Sequence, residues 1–148
     1  MDPQTEAIRA LARAATVLER SSSELSLAHY RVLSSIASGQ ERASHVARNL
    51  ALGKPAVSAA VDSLRKRGLI ERLEVDGDQR AATLRLTGDG QRLLAEVEDE
   101  MRQRLRDLCG RTPDAERMLE ALVWLGRALD DRRAERSAAR AQAAEIGA

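Results

Sequence analysis

The sequence predicts a mainly α fold (α+β) in which one short β-hairpin interrupts a series of helices, and three observations predict it. Apolar residues recur at three- and four-residue spacing through six stretches, the pattern of amphipathic helices. Only Ile70–Val75 and Ala81–Leu86 tend toward the alternation of strands, and they flank the turn residues Asp76-Gly77-Asp78. Finally, with one Trp, one Tyr and no Phe, the core must be built from Leu, Val, Ile and Ala, which suit helix packing.

The elements follow in order. Ala7–Arg20 carries Ile8, Leu11, Ala14, Ala15 and Leu18 on one stripe and forms the first helix. Ser21-Ser22-Ser23 interrupts it, and Ser26 is placed to cap a second helix over about Leu27–Ser38, with Leu27, Tyr30, Val32, Leu33 and Ile36 and a closing Gly39. A short third helix, Ala43–Leu50, turns Val46, Ala47 and Leu50 inward. Ala51-Leu52-Gly53 turns the chain, and Lys54-Pro55 opens a fourth helix whose apolar positions are Val57, Ala60, Val61 and Leu64. Proline fits there because first-turn N–H groups lack intrahelical acceptors in any case. Gly68 ends this helix. Two short helices about a tight turn containing glycine form a helix-turn-helix, and the hairpin that follows is a wing.

Thr87 caps a long helix with Leu93, Leu94, Val97, Met101, Leu105 and Leu108 on one stripe, ended by Gly110. Thr112-Pro113-Asp114 reads as an N-cap, a first-turn proline and an acidic first turn for a last helix carrying Met118, Leu119, Leu122, Leu125 and Leu129. Beyond Asp131 the stripe fades into Ala, Arg and Glu, a tail that either continues the helix or frays.

A chain of 148 residues suits one domain with a real core. Within it, residues 26–87 are the winged helix-turn-helix, 5–20 and 88–135 the dimerisation helices, and 136–148 the tail. The terminal helices carry apolar stripes that so small a winged unit cannot cover. A second subunit is the simplest cover, so the first and last helices are expected to form an intertwined homodimer.

Composition narrows the function classes. With 43% hydrophobic and 32% charged residues and no apolar run near the roughly 20 residues that span a bilayer, the chain reads as a globular protein without a membrane partner. Its start does not resemble a signal peptide, so a cytoplasmic location is expected. Cys109 is the single cysteine; it allows no internal disulfide and offers no zinc cluster, and His29 and His45 lack further ligands at metal spacing. No metal or other cofactor is expected. The net charge of +1 does not by itself announce nucleic-acid binding, so that argument rests on where the charges sit. The near absence of aromatics removes the stacking platforms used for single strands. Gly-rich phosphate loops and nucleophile elbows are lacking, which speaks against an enzyme.

Several motifs stand in a meaningful order. Leu25-Ser26-Leu27 precedes Tyr30-Arg31-Val32-Leu33; Val46-Ala47-Arg48-Asn49-Leu50 lies in the third helix; Val57-Ser58 leads through Val61-Asp62-Ser63-Leu64-Arg65-Lys66-Arg67-Gly68-Leu69-Ile70. Asp78-Gln79-Arg80 follows in the hairpin and Leu86-Thr87-Gly88-Asp89-Gly90 opens the long helix. In this order and spacing the chain resembles the MarR family of winged helix-turn-helix regulators over nearly its whole length. The resemblance implies a sequence-specific regulator of double-stranded DNA, a ligand-responsive repressor that binds a pseudo-palindromic operator as a homodimer.

It also implies site residues. The candidate DNA-contacting set is Ser44, Lys54, Pro55, Ala56, Ser58, Ala59, Arg65 and Arg80, with Asp78 bracing the wing. Short polar side chains at the start of the fourth helix suit base edges in the major groove, and Arg80 at the hairpin tip suits the negative potential of a narrow minor groove. Arg65-Lys66-Arg67 reads equally as phosphate contacts or as a solvated helix end favoured by the dipole. Where the family commonly has arginines, this chain has Ala59 and Ser63, so bidentate guanine readout is poorly supported. Arg42 and Gly53 are weak N-caps for the third and fourth helices. The family's small anionic or phenolic effectors make His29, Tyr30 and Arg31 candidate effector contacts for an aromatic or anionic ligand. Adjacent residues on a helix diverge by about 100 degrees, so all three cannot line one cleft. The alternative function is a winged-helix protein-interaction module without specific DNA binding.

Overall fold

The structure, a computed structural model, describes residues 1–39, 42–75 and 78–147, with the backbone alone at 75 and 78–81. The element order is α1 (Pro3–Glu19), α2 (Leu27–Ala37), α3 (Ala43–Leu50), α4 (Lys54–Lys66), β1 (Ile70–Val75), β2 (Asp78–Leu86), α5 (Gly88–Cys109) and α6 (Ala115–Ile146). The fold is therefore mostly helical with one two-stranded antiparallel sheet, as the periodicities predict. The chain divides into two compact units, Met1–Leu105 and Arg106–Ala148.

In the first unit the helical stripes converge on one apolar core. Val32, Leu33 and Ile36 of α2, Val46 of α3, Val57, Val61 and Leu64 of α4, Ile70, Leu84 and Leu86 of the sheet, and Leu94, Val97 and Met101 of α5 are all buried in it. Among the described residues no polar or charged side chain is buried there. Burying such Leu, Ile, Val and Met side chains is worth roughly 1.5–3 kcal/mol each, and this burial is what favours the packing of the unit's elements on one another. The strands pair Ile70 with Leu86 and Arg72 with Leu84, with a register shift between Leu73 and Val75. β2 starts at Asp78, three residues before the alternating stretch predicted from Ala81. The turn residues Asp76 and Gly77 lie outside the described residues.

Local chemistry sets the element ends. The Ser26 hydroxyl accepts from the His29 amide (3.1 Å), capping α2 as predicted. Thr87 does double service: its hydroxyl accepts from the Gly90 amide (3.0 Å) at the start of α5 and donates to the Gly68 carbonyl (2.6 Å). Gly68 closes α4 at φ +72, a left-handed conformation that costs glycine little. At Gly90 the reason for glycine is closeness, since an added Cβ would overlap the Leu69 carbonyl oxygen. The first helix starts at Pro3, four residues earlier than its stripe, because the Asp2 carboxylate caps it through the Thr5 amide (3.0 Å). None of its residues is buried, and Ile8 and Leu11 are 67% and 50% exposed.

The second unit comprises the end of α5 and α6. Here one expectation is corrected: the N-cap of α6 is Asp114, not Thr112. The Thr112 hydroxyl is committed to the Cys109 carbonyl (2.6 Å) at the end of α5, whereas the Asp114 carboxylate accepts from the Arg117 amide (3.0 Å), where the helix dipole favours a negative charge. Pro113 thus precedes the helix instead of opening it. Cys109 is buried. α6 runs 32 residues to Ile146, so the tail continues the helix, and no residue of α6 is buried. Met118, Trp124, Leu125 and Leu129 are exposed on it.

Candidate nucleic-acid interface

The site is built from the turn between α3 and α4. Ala51-Leu52-Gly53 turns the chain as expected: Ala51 is left-handed (φ 51) and caps α3, while Gly53 is extended (φ −63, ψ 146) at the N-cap of α4. The Leu52 amide closes the turn on the Ala47 carbonyl (3.1 Å). As expected from Arg42 and Gly53, neither α3 nor α4 has a side-chain cap. For α4 this leaves first-turn amides open at the positive end of the helix dipole, an arrangement suited to a phosphate.

With Val57, Ala60, Val61 and Leu64 anchored in the core, α4 turns Lys54, Pro55, Ala56, Ser58, Ala59 and Arg65 to solvent, and all six are exposed. Ser44 is exposed on α3. The predicted residues of α4 thus come together on one face. Sequence reasoning missed Asp62, which is also exposed and lies within 3.9 Å of Arg65. Its signal was available, since it stands one turn beyond Ser58. It places a negative charge in the middle of the face, and it draws Arg65 into a solvent-exposed pair worth little energy. The side chains of Arg80 and Asp78 lie outside the described residues; their backbone belongs to β2.

The three candidate effector residues are not brought together. The half-buried Tyr30 hydroxyl donates to Glu98 of α5 (3.5 Å), and burial, followed by the Glu98 charge, pushes its pKa above the usual tyrosine value. Arg31 instead donates to the Leu50 carbonyl (3.0 Å), where it satisfies a free carbonyl at the negative end of α3. His29 is half-buried at the start of α2. An open recess of about 560 Å³ lies elsewhere, between the second half of α4 and β1, lined by Asp62, Arg65, Lys66, Ile70, Glu71 and Arg72.

Residues 23–81, which contain this helix-turn-helix and most of the hairpin, match the family model of the MarR family. They form a MarR-family winged helix. No curated protein matches the sequence of the chain. Solved structures that it resembles extend the likeness of fold beyond the winged helix. BpsR of Bordetella bronchiseptica, whose DNA binding is regulated by 6-hydroxynicotinic acid, shares 24% identity at a TM-score of 0.67, over 88% of this chain and 94% of that one. Wild-type MarR from E. coli shares 22% at 0.70, over 83% and 96%. The transcriptional repressor CouR, bound to a 23-mer DNA duplex, shares 23% at 0.72, over 86% and 92%. At these identities the likeness establishes the MarR fold. Among the described residues, no helix is long and apolar enough to cross a membrane.

Proposed function

We propose that the chain is a sequence-specific regulator of transcription, a ligand-responsive repressor that binds a pseudo-palindromic double-stranded operator as a homodimer. The observation that carries this reading is the solvent-facing side of α4: Lys54, Ser58 and an uncapped positive helix end stand free while the opposite side is locked in the core. Such a helix presents short polar groups to base edges and its first amides to phosphate. Lys54 and Arg65 carry phosphate contacts, Ser58 reads a base edge, Pro55, Ala56 and Ala59 offer apolar contact to thymine methyls, and Ser44 adds a contact from α3. Arg80, braced by Asp78, enters the neighbouring minor groove. The dimer is made by α1 and α6, on which Ile8, Leu11, Trp124 and Leu129 are exposed.

For the effector, a small aromatic or anionic molecule near Tyr30 and the half-buried His29 is supported by the likeness to BpsR, whose DNA binding is regulated by 6-hydroxynicotinic acid. The Glu98 carboxylate beside Tyr30 weighs toward the aromatic over the anionic character. Arg31, held at the end of α3, is the weakest member of that set. A second reading, a protein-interaction module, draws on Ala59 and on Asp62, because neither offers the guanidinium that reads guanine.

The experiment is selection of a bound duplex followed by titration of operator variants at several salt concentrations. Ser58→Ala should cost roughly 1–3 kcal/mol at its base and leave the salt slope unchanged. Arg80→Ala should weaken binding and lower the slope by about one per contacted phosphate. Binding that stays weak and indifferent to sequence, in the range of about 10⁻⁴–10⁻⁶ M at physiological salt, would overturn the regulator and favour the interaction module instead.

A further inference from the structure

The helix α4, which carries the proposed recognition face, is held at its far end by a contact that its sequence pattern does not announce. Arg67, the C-cap of α4, donates from Nη1 to the main-chain carbonyl of Glu24 (2.8 Å) and brings Nη2 within 3.9 Å of the Glu24 carboxylate. Glu24 lies in the short connector between α1 and α2, 43 residues away in sequence. The same connector is tied at both ends. Glu19, the last residue of α1, accepts from the Leu27 amide at the start of α2 (2.7 Å), and Leu25, next to Glu24, is buried in the core. A charged donor on a carbonyl is stronger than a neutral one, and the planar guanidinium can hold the carbonyl while facing the carboxylate.

We propose that Arg67 is a positioning residue for DNA recognition: it straps the end of α4 to the connector from α1, so that the setting of α1 is passed to the recognition helix. This rests on the DNA-binding reading given above. The geometry separates Arg67 from its neighbours Arg65 and Lys66. Arg65 faces Asp62 across the solvent side of α4, whereas the Arg67 guanidinium is turned back onto the protein. A strap acts on where the helix lies and not on how many phosphates are neutralised, so its loss lowers operator affinity and leaves the salt slope alone.

The test compares the full chain with Arg67→Ala, Arg67→Lys and Glu24→Gln in operator titrations at several salts, together with amide hydrogen exchange over residues 21–27. Arg67→Ala should lose roughly two- to thirtyfold in operator affinity with unchanged salt slope and unchanged non-specific affinity, and exchange in the connector should quicken. Arg67→Lys, which keeps one charged donor, should recover part of both effects. Glu24→Gln, which keeps the carbonyl, should remain near the unchanged chain. A slope that falls by about one per subunit shows Arg67 on a phosphate and overturns the strap. Connector exchange that is the same in Arg67→Ala also overturns it. If the unchanged chain selects no duplex, the DNA-binding reading falls with the positioning role, while the exchange measurement still decides whether the strap exists.

Discussion

The winged helix and the terminal helices are built from the same kinds of residue but reach different ends. In the first, Leu33, Val46, Val57 and Leu64 are closed off from water by elements of the same chain. In α1 the stripe is as regular, and in α6 it runs from Met118 to Leu129 before fading, yet no residue of either is buried, and Ile8, Leu11, Trp124 and Leu129 remain half exposed or more. Amphipathicity therefore specifies a helix and the side it would bury, but not what buries it. The winged helix carries its own cover. Those apolar residues of the terminal helices stay exposed, and the homodimer proposed above would cover them.

Four measurements would break or sharpen that contrast. The largest effect is expected from Leu11→Asp, which removes an apolar contact from each half of a symmetric interface. With two leucines lost per dimer, on the order of 3–6 kcal/mol, dissociation should rise by at least about a hundredfold in sedimentation while the helical signal of the winged helix persists. An unshifted dimer would show that α1 is not in the interface. Leu64→Ala, in the closed core, should lower unfolding free energy by about 2–5 kcal/mol in denaturant titration, whatever the protein concentration does to association. Were Leu64→Ala tolerated as easily as a surface change, the winged helix would not be the self-sufficient region.

Ala51→Gly probes the turn between α3 and α4. Alanine at φ 51 pays about 1–2 kcal/mol for its left-handed backbone, and glycine returns part of that gain to a freer unfolded chain, so a net stabilisation of up to about 1 kcal/mol is expected. A loss of stability in the melting curve would mean that the Ala51 methyl makes a contact that matters. The smallest effect concerns Tyr30, the only tyrosine, whose phenolate absorbance can be followed without interference. Burial and then Glu98 raise its pKa, so the folded state favours the neutral phenol. The resulting stability is complete below the unfolded value near 10 and is lost as pH rises from there through the folded pKa. Glu98→Gln should bring the titration partway back toward the ordinary value; no movement at all would mean that α2 and α5 do not meet at these side chains.

The helices, the hairpin and the face of α4 were legible because each depends on spacing within one element. Ser26 declared itself as a cap by standing one residue before a stripe and Thr87 by its place in Leu86-Thr87-Gly88-Asp89-Gly90, and the exposed set Lys54, Ser58 and Ala59 follows from the buried set Val57, Ala60 and Val61. The early start of β2, the Asp114 cap and the left-handed Ala51 were not, because each turns on a choice between neighbouring residues that similar chemistry leaves nearly balanced. Thr112 and Asp114 can both cap, and it is the Cys109 carbonyl that takes the threonine.

What the sequence by itself determined is the order of elements, their apolar sides and the polar residues opposite them, since helical and strand periods translate position directly into direction. What only the tertiary structure decided are the meetings of distant groups: Tyr30 with Glu98, Arg31 with the end of α3, and Arg67 with Glu24. A side chain's reach and its partner depend on how packed elements cross in space, and no spacing along one helix encodes which carbonyl or carboxylate another helix will bring to it.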